Sequence, residues 1–408
     1  MPFFSFFNVK YKAIKHDISI SLHTTTTSSP QPILTSTPPQ LPLEIIITIL
    51  ESTCHPQNPF NNSHLLNCAL VSTLWSLPAQ KLLFRNVTLR NHHAYLAFQA
   101  ALTNSTTLAT SVHRIRVVLD HNQPYGISQH SFAHALTLCP NLYYLHLSLF
   151  GRAEPGKDII GLPDLHRMRR PAPSFDHITL SLLKSGPKIT ALHFSNWSEN
   201  RHSLNQLLDL WVSLKSLVIT GTPPELSSPY PGTLHHFRMN CQSPPSIDYI
   251  QSLLSNSTNS LRTIELEREP STDLLNHLIQ SHRHQLHSLA LPACGSHDHT
   301  LAVRSCEQLR ELKIENPWVS PIAYRKLPTV LRHLALGLDG DTALQPVIDL
   351  VNSRPSSSLA LITIRIWDGG QNHPQLPALK TACERTGVQL CVDWTCTFFF
   401  FWFGLFGL

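Results

Sequence analysis

Apolar and polar positions recur along most of this chain in the order apolar-x-x-apolar-x-apolar. Good copies are Leu142/Leu145/Leu147, Ile189/Leu192/Phe194, Leu214/Leu217/Ile219 and Leu234/Phe237/Met239, then Leu261/Ile264/Leu266, Leu286/Leu289/Leu291, Leu309/Leu312/Ile314 and Leu331/Leu334/Leu336. Weaker copies stand at Val112/Ile115/Val117 and Leu361/Ile364/Ile366, with fragments at Val87/Leu89 and Leu390/Val392. From Ile189 to Leu331 the copies start 25, 20, 27, 25, 23 and 22 residues apart. The alternating end of each copy reads as a short strand with one buried face. Between strands, apolar residues at three- and four-residue spacing predict helices over 130–138, 178–183, 204–211, 247–254, 274–279 and 344–351. Strand and helix in regular alternation predict an α/β chain with a parallel sheet, and the fixed period makes it a solenoid instead of a doubly wound sheet. The alternative is a mixed α/β domain with several parallel strands and no true repeat.

A different pattern precedes the repeat, over residues 41–89. Pro42 suits the first turn of a helix and Glu44 complements its dipole. Ile45, Ile46, Ile49 and Leu50 then follow at helical spacing. After a polar break, Ser63 can cap a second helix through Leu65, Leu66, Ala69 and Leu70. Val71, Leu74, Trp75 and Leu77 extend the apolar surface until Pro78, and a third, short helix is predicted over 81–84, leading into Val87 and Leu89. So small a unit cannot bury much surface by itself and needs a neighbour. Read blandly, it is a three-helix cap whose apolar residues face inward.

Leu-Pro-x-Glu-Ile-Ile, the Leu-Val-Ser-x-x-Trp cluster and Leu-Phe-Arg-Asn-Val-Thr-Leu occur here in order, and together they resemble the F-box, the helical module that docks on the Skp linker of cullin-type ubiquitin ligases. Two departures stand out: residues 55–62 lengthen the gap between the clusters, and no basic residue precedes Trp75. The resemblance implies linker contacts at Leu41, Pro42, Ile45, Ile46, Ile49, Leu50, Leu70, Val71 and Trp75, with Trp75 also able to serve the module's own core. The repeats resemble the irregular, ribonuclease-inhibitor-like leucine-rich repeats found behind F-boxes, and the layout is similar to F-box proteins of mushroom-forming fungi. The implied organisation is a disordered leader (1–40), an F-box (41–86), a leucine-rich-repeat solenoid (87–396) with a curved parallel sheet, and an apolar tail (397–408). The implied function is that of a substrate receptor, which joins a Skp-family linker, and through it a cullin, to a protein target. Two alternatives stay open: an F-box binding module outside any ligase, and an enzyme whose α/β domain only mimics repeats.

Strand alternation locates the target surface. If the leucines point inward, the residues between them form the concave face. That places His236, Arg238, Glu265, Glu267, Glu311, Lys313, Glu315, Arg365 and Trp367 on it as candidate target contacts, beside Tyr144, His146, His193, Val218, Ala290 and His333.

Composition narrows the reading further. A net charge of +5 is small and evenly spread, unlike a nucleic-acid-binding stripe, and Arg167, Arg169 and Arg170 read as an exposed loop. The nine cysteines follow no regular spacing, which suits reduced thiols in the cytosol or nucleus. Cys294/His297/His299 and His277/His282/His284/His287 lack the paired spacings of zinc sites. Phosphate-cradling, nucleophile-elbow and zinc-protease motifs are missing, and Cys383 has no activating base nearby in sequence. Neither an enzymatic role nor a cofactor is therefore expected. The tail is intensely apolar but shorter than the roughly 20 residues a bilayer-spanning helix needs, so no transmembrane segment is expected. It reads as an error in the coding sequence in preference to a solenoid end or a superficial membrane insertion.

Overall fold

Each of the twelve apolar copies and fragments becomes a strand. A computed structural model of the protein describes residues 41–53, 63–151, 172–198, 200–225, 228–317, 319–324, 327–353 and 359–393. The leader, residues 55–62, the Arg167–Arg170 cluster and the apolar tail lie outside the described residues.

Three helices come first: α1 (Leu43–Thr53), α2 (Ser63–Val71) and α3 (Thr73–Arg85). Strand β1 (Asn86–Leu89), α4 (His92–Asn104), α5 (Thr106–Ser111), β2 (Arg114–Asp120), α6 (Gln129–Thr137) and β3 (Tyr144–Phe150) follow. Next are α7 (His177–Ser185), β4 (Ala191–Trp197), α8 (Ser203–Leu210), β5 (Ser216–Gly221), β6 (His236–Cys241) and α9 (Ile247–Leu254). The rest comprises β7 (Thr263–Leu266), α10 (Thr272–His282), β8 (Ser288–Leu291), α11 (His297–Arg304), β9 (Glu311–Ile314), β10 (His333–Leu338), α12 (Gln345–Ser353), β11 (Leu361–Ile366), α13 (Leu376–Thr386) and β12 (Gln389–Asp393).

The strands form one parallel sheet of twelve in the order β1 to β12, so each strand lies beside its predecessor. Register follows the apolar pattern. Val87, Ile115, Leu145, Leu192, Leu217, Phe237, Ile264, Leu289, Leu312, Leu334, Ile362 and Leu390 pair successively in one unbroken row. A slip by one residue would turn that row outward, so burial of one face fixes the register. The first apolar position of each good copy, such as Leu142, Ile189 or Leu309, is buried just ahead of its strand. The weak copy at Leu361 is corrected: Leu361 lies inside β11, half-buried and paired with His333 on the other face, and Leu359 and Ile362 take the inward places. Strand and helix side chains merge in one continuous core, while alternate strand residues form a second, half-exposed face. We call this the open face.

Repeated caps set where the helices begin. Ser128, Asp176, Ser246, Ser271 and Ser296 each accept a hydrogen bond from the backbone N–H three residues on, at α6, α7, α9, α10 and α11. All six helices predicted between strands are present. Sequence reading did not anticipate α4, α5, α11 and α13. In α11 the buried face is His299, Thr300, Ala302 and Val303, too polar for an apolar stripe to stand out.

A second expectation is corrected. The short third helix over 81–84 is the end of α3, which starts at Thr73 and runs through Pro78. Proline removes one backbone hydrogen bond from a helix interior, and burial of Pro78 itself, beside Ala79 in the helical unit's core, offsets that loss. This unit has its own core of Ile46, Leu50, Leu65, Cys68, Ala79 and Leu83. Phe84 touches both cores, and its ring stacks on Phe98 at 6.5 Å. Asn86 closes α3 and opens β1, so no linker separates the helices from the sheet.

Candidate functional site

Two surfaces stand out, one apolar and one charged. The apolar surface arises because the apolar residues of α1 cover more of the helix than a small core can absorb, leaving Glu44, Thr48, Glu51 and Ser52 as its polar face. Ile46 and Leu50 are fully buried, whereas Leu41, Leu43, Ile45, Ile47 and Ile49 remain exposed. Pro42, also exposed, accepts the first helical bonds from the backbone N–H groups of Ile45 and Ile46. Leu70 and Val71, at the end of α2, are 59% and 67% exposed, and Leu74 and Leu77 on α3 are exposed as well. Trp75 is half-buried against the unit's core. Of the nine positions that the resemblance assigns to linker docking, six are thus on the surface, Trp75 is at its edge, and Ile46 and Leu50 hold the unit together. Isolated exposed leucines need no explanation, whereas this many on three short helices make the unit a candidate interaction surface.

The open face carries charge. One register row runs Arg116, His146, His193, Val218, Arg238, Glu265, Ala290, Lys313, Ala335, Thr363, Cys391. The half of the open face from β6 onward, beyond this one row, collects Glu265, Glu267, Glu311 and Glu315, every carboxylate that sequence reading places there. Arg238 bridges Glu265 at 3.7 Å and Glu267 at closer range, and Asn240 donates to the same Glu267 carboxylate. His236, 3.9 Å from Glu265, pulls that carboxyl below its ordinary range, and Arg238 adds to the effect. Glu311 accepts from His333 Nδ1 at 2.8 Å, Ser288 Oγ at 2.6 Å and Lys313 Nζ at 3.1 Å, and these bonds, His333 foremost, lower it to about 2. Glu315 behaves oppositely. Burial raises its carboxyl, with the neighbouring Glu267 adding to the rise, although Arg365 binds it. The Trp367 indole N–H donates to the Glu315 backbone carbonyl at 3.1 Å, which fixes the ring beside the pair. All nine candidate target contacts therefore lie on one surface. Ala290, Ala335 and Thr363, being small, leave between them a depression of about 280 Å³.

The first half of the face is cationic and aromatic. Arg114 packs over Tyr144 at 5.6 Å and donates to the Tyr143 hydroxyl. The His146 and His193 rings stack. Both imidazoles are held neutral: burial lowers His146 to about 3 and His193 well below its usual value, and Arg116 disfavours protonation of each. Burial, with Arg90 nearby, also lowers the Arg116 guanidinium. Sequence reading missed Arg114, Arg116, Asn240 and Asp393. Arg114, Arg116 and Asp393 flank the apolar residues of the weak copies at Val112/Ile115/Val117 and Leu390/Val392, so extending the alternation into those copies would have found them.

The histidine and cysteine groups set aside earlier lie elsewhere. Ser296 caps α11 between Cys294 and His299, and Cys294 Sγ is 3.8 Å from Thr300 Oγ1. Cys383 is buried in α13, where burial pushes its thiol up. Among the described residues, no three or more His, Cys, Asp or Glu side chains form a group able to hold a metal ion, and no helix is long and apolar enough to cross a membrane. No protein-family model matches the chain, and no curated protein matches it significantly.

Proposed function

We propose that this protein is a substrate receptor of a Skp–cullin–F-box ubiquitin ligase. The helical unit docks the Skp-family linker, and the sheet, as a leucine-rich-repeat solenoid, holds a protein target on its open face. The observation that carries the reading is the division of α1, where Ile46 and Leu50 satisfy the unit's core while Leu41, Ile45 and Ile49 stay outside with Leu70 and Val71. Burying such a patch against a partner releases roughly 25 cal/mol for each Å² of apolar surface covered. On this reading the chain transfers no group itself. It brings a target lysine near a conjugating enzyme, and proximity supplies the rate. The reading places it in the cytosol or nucleus, where cysteines remain reduced.

Affinity capture from fungal extract tests this, comparing the intact chain with Ile45→Asp/Ile49→Asp/Val71→Asp, all surface positions. The intact chain should recover linker and cullin, and the variant should lose both while keeping its fold. Recovery of linker without cullin would assign the module to a complex outside the ligase. Failure of the intact, folded chain to bind purified linker at high concentration would overturn the proposal.

A further inference from the structure

Arg238 and Arg365 are each met on the open face by a carboxylate just past the end of another strand, Glu267 after β7 and Glu315 after β9. Arg116 departs from that arrangement. It is in register with His146 and His193, and its Nε is buried with no hydrogen-bond acceptor among the described residues. Arg90 lies near enough to repel it. A half-buried cation without a partner is costly. Among the described residues the surroundings add neutral hydroxyls and no anion: Ser195 Oγ lies 3.4 Å from His146 Nε2 and 3.3 Å from His193 Nε2, and Thr220 Oγ1 is 3.3 Å from the latter. Asp120, the carboxylate of β2, stands two open-face positions beyond Arg116 on the same strand.

We propose that β2 to β4 bind a carboxylate-bearing, acidic segment of the protein target, with Arg116 pairing one carboxylate and the stacked imidazoles supporting the chain beside it. This rests on the reading of the open face as the target surface. Arg238 and Arg365 display the guanidinium–carboxylate pairing that this sheet supports, and one half-buried guanidinium matches one monoanion. Arg90 and Arg114, both exposed, draw further acidic residues toward the patch. The carboxylates from Glu265 onward repel the same segment and confine it to the first strands.

The full-length protein is titrated against a fluorescein-labelled oligo-glutamate peptide, and anisotropy is read at low and physiological salt. Matched arms use a phosphoserine peptide and a single-stranded oligonucleotide. The intact chain should bind oligo-glutamate. Arg116→Gln should weaken binding by about tenfold, Arg116→Lys should weaken it less, and the distant surface variant Lys380→Gln should leave it unchanged. Equal losses in Arg116→Gln and Lys380→Gln, or no oligo-glutamate binding by the folded chain, would overturn the proposal. So would tighter binding of the phosphoserine peptide or the oligonucleotide. Binding that emerged only in Glu154→Gln/Asp158→Asn/Asp164→Asn would make these carboxylates of the chain itself the occupant, again against the proposal. Linker capture is scored on the same preparations. Peptide binding without linker capture removes the ligase reading alone, and capture without peptide binding removes this inference alone.

Discussion

His146 and His193 lie face to face across neighbouring strands, their ring centroids 3.8 Å apart and their planes 9° from parallel. Two imidazolium ions could not share that spacing beside Arg116, so the stack requires at least one neutral ring. Its value to the fold therefore depends on pH. Both groups have folded pKa values below the unfolded value of 6.5, His146 at about 3. Between those limits the unfolded chain binds protons that the native state refuses, so stability rises with pH and is complete above about 6.5. Melting temperature should fall as pH drops from about 7 to about 5, and the fall should be shallower in His146→Gln. Some slope should persist, because burial lowers His282 to about 4 with the same sign. An unchanged slope in His146→Gln would refute this account of the stack.

Adjacent residues of α1 should respond differently to substitution. Leu50→Ala empties part of a small core and should cost about 2–5 kcal/mol. Ile49→Asp alters a surface position and should change stability by less than about 0.5 kcal/mol. Hydrogen exchange over α1 to α3 separates the two, with faster exchange in Leu50→Ala and near-native protection in Ile49→Asp.

Gly337 occupies β10 where the chain of Glu315 passes closest. A Cβ there would overlap the Glu315 carbonyl oxygen and the backbone beside it. Gly337→Val should therefore destabilise by about 1–3 kcal/mol. It should also disturb the hydrogen bond from Trp367 to that carbonyl. A lower melting temperature with a shifted tryptophan emission maximum is the expected pair of readouts, and native values of both would show that the strands can part without cost.

Removing a cap should have a local and moderate effect. Ser271 accepts from the Leu274 N–H at the start of α10, and Ser271→Ala should cost about 1 kcal/mol. Chemical denaturation measures this, with Ser271→Asp expected to restore most of the loss.

All twelve strands were legible because each needs two alternating apolar residues in register with those of its neighbours, a demand that leaves a periodic trace. Helix faces built from small or polar residues left less of one: α13 buries Leu379, Ala382 and Cys383, and α4 uses Ala101 beside its aromatics. Pro78 looks like a stop because sequence shows the hydrogen bond it lacks and not the buried place it takes in α3. In α1 the run of isoleucines does not distinguish an inner face from an outer one, so only three-dimensional packing separates Ile46 from Ile45. The charge segregation of the open face was hidden for a different reason. Arg116 and Glu315 belong to one surface but lie far apart in sequence, and their relation exists only once the strands are stacked.

Because α3 passes into β1 at Asn86 with Phe84 wedged in both cores, the helical end and the sheet share one rigid spine. Adding a single residue to α3 would swing the greasy end by about 100° around the helix axis relative to the sheet. The bearing between whatever grips one end and whatever rests on the other is thus written in the length of one helix, and no swivel is left to correct it.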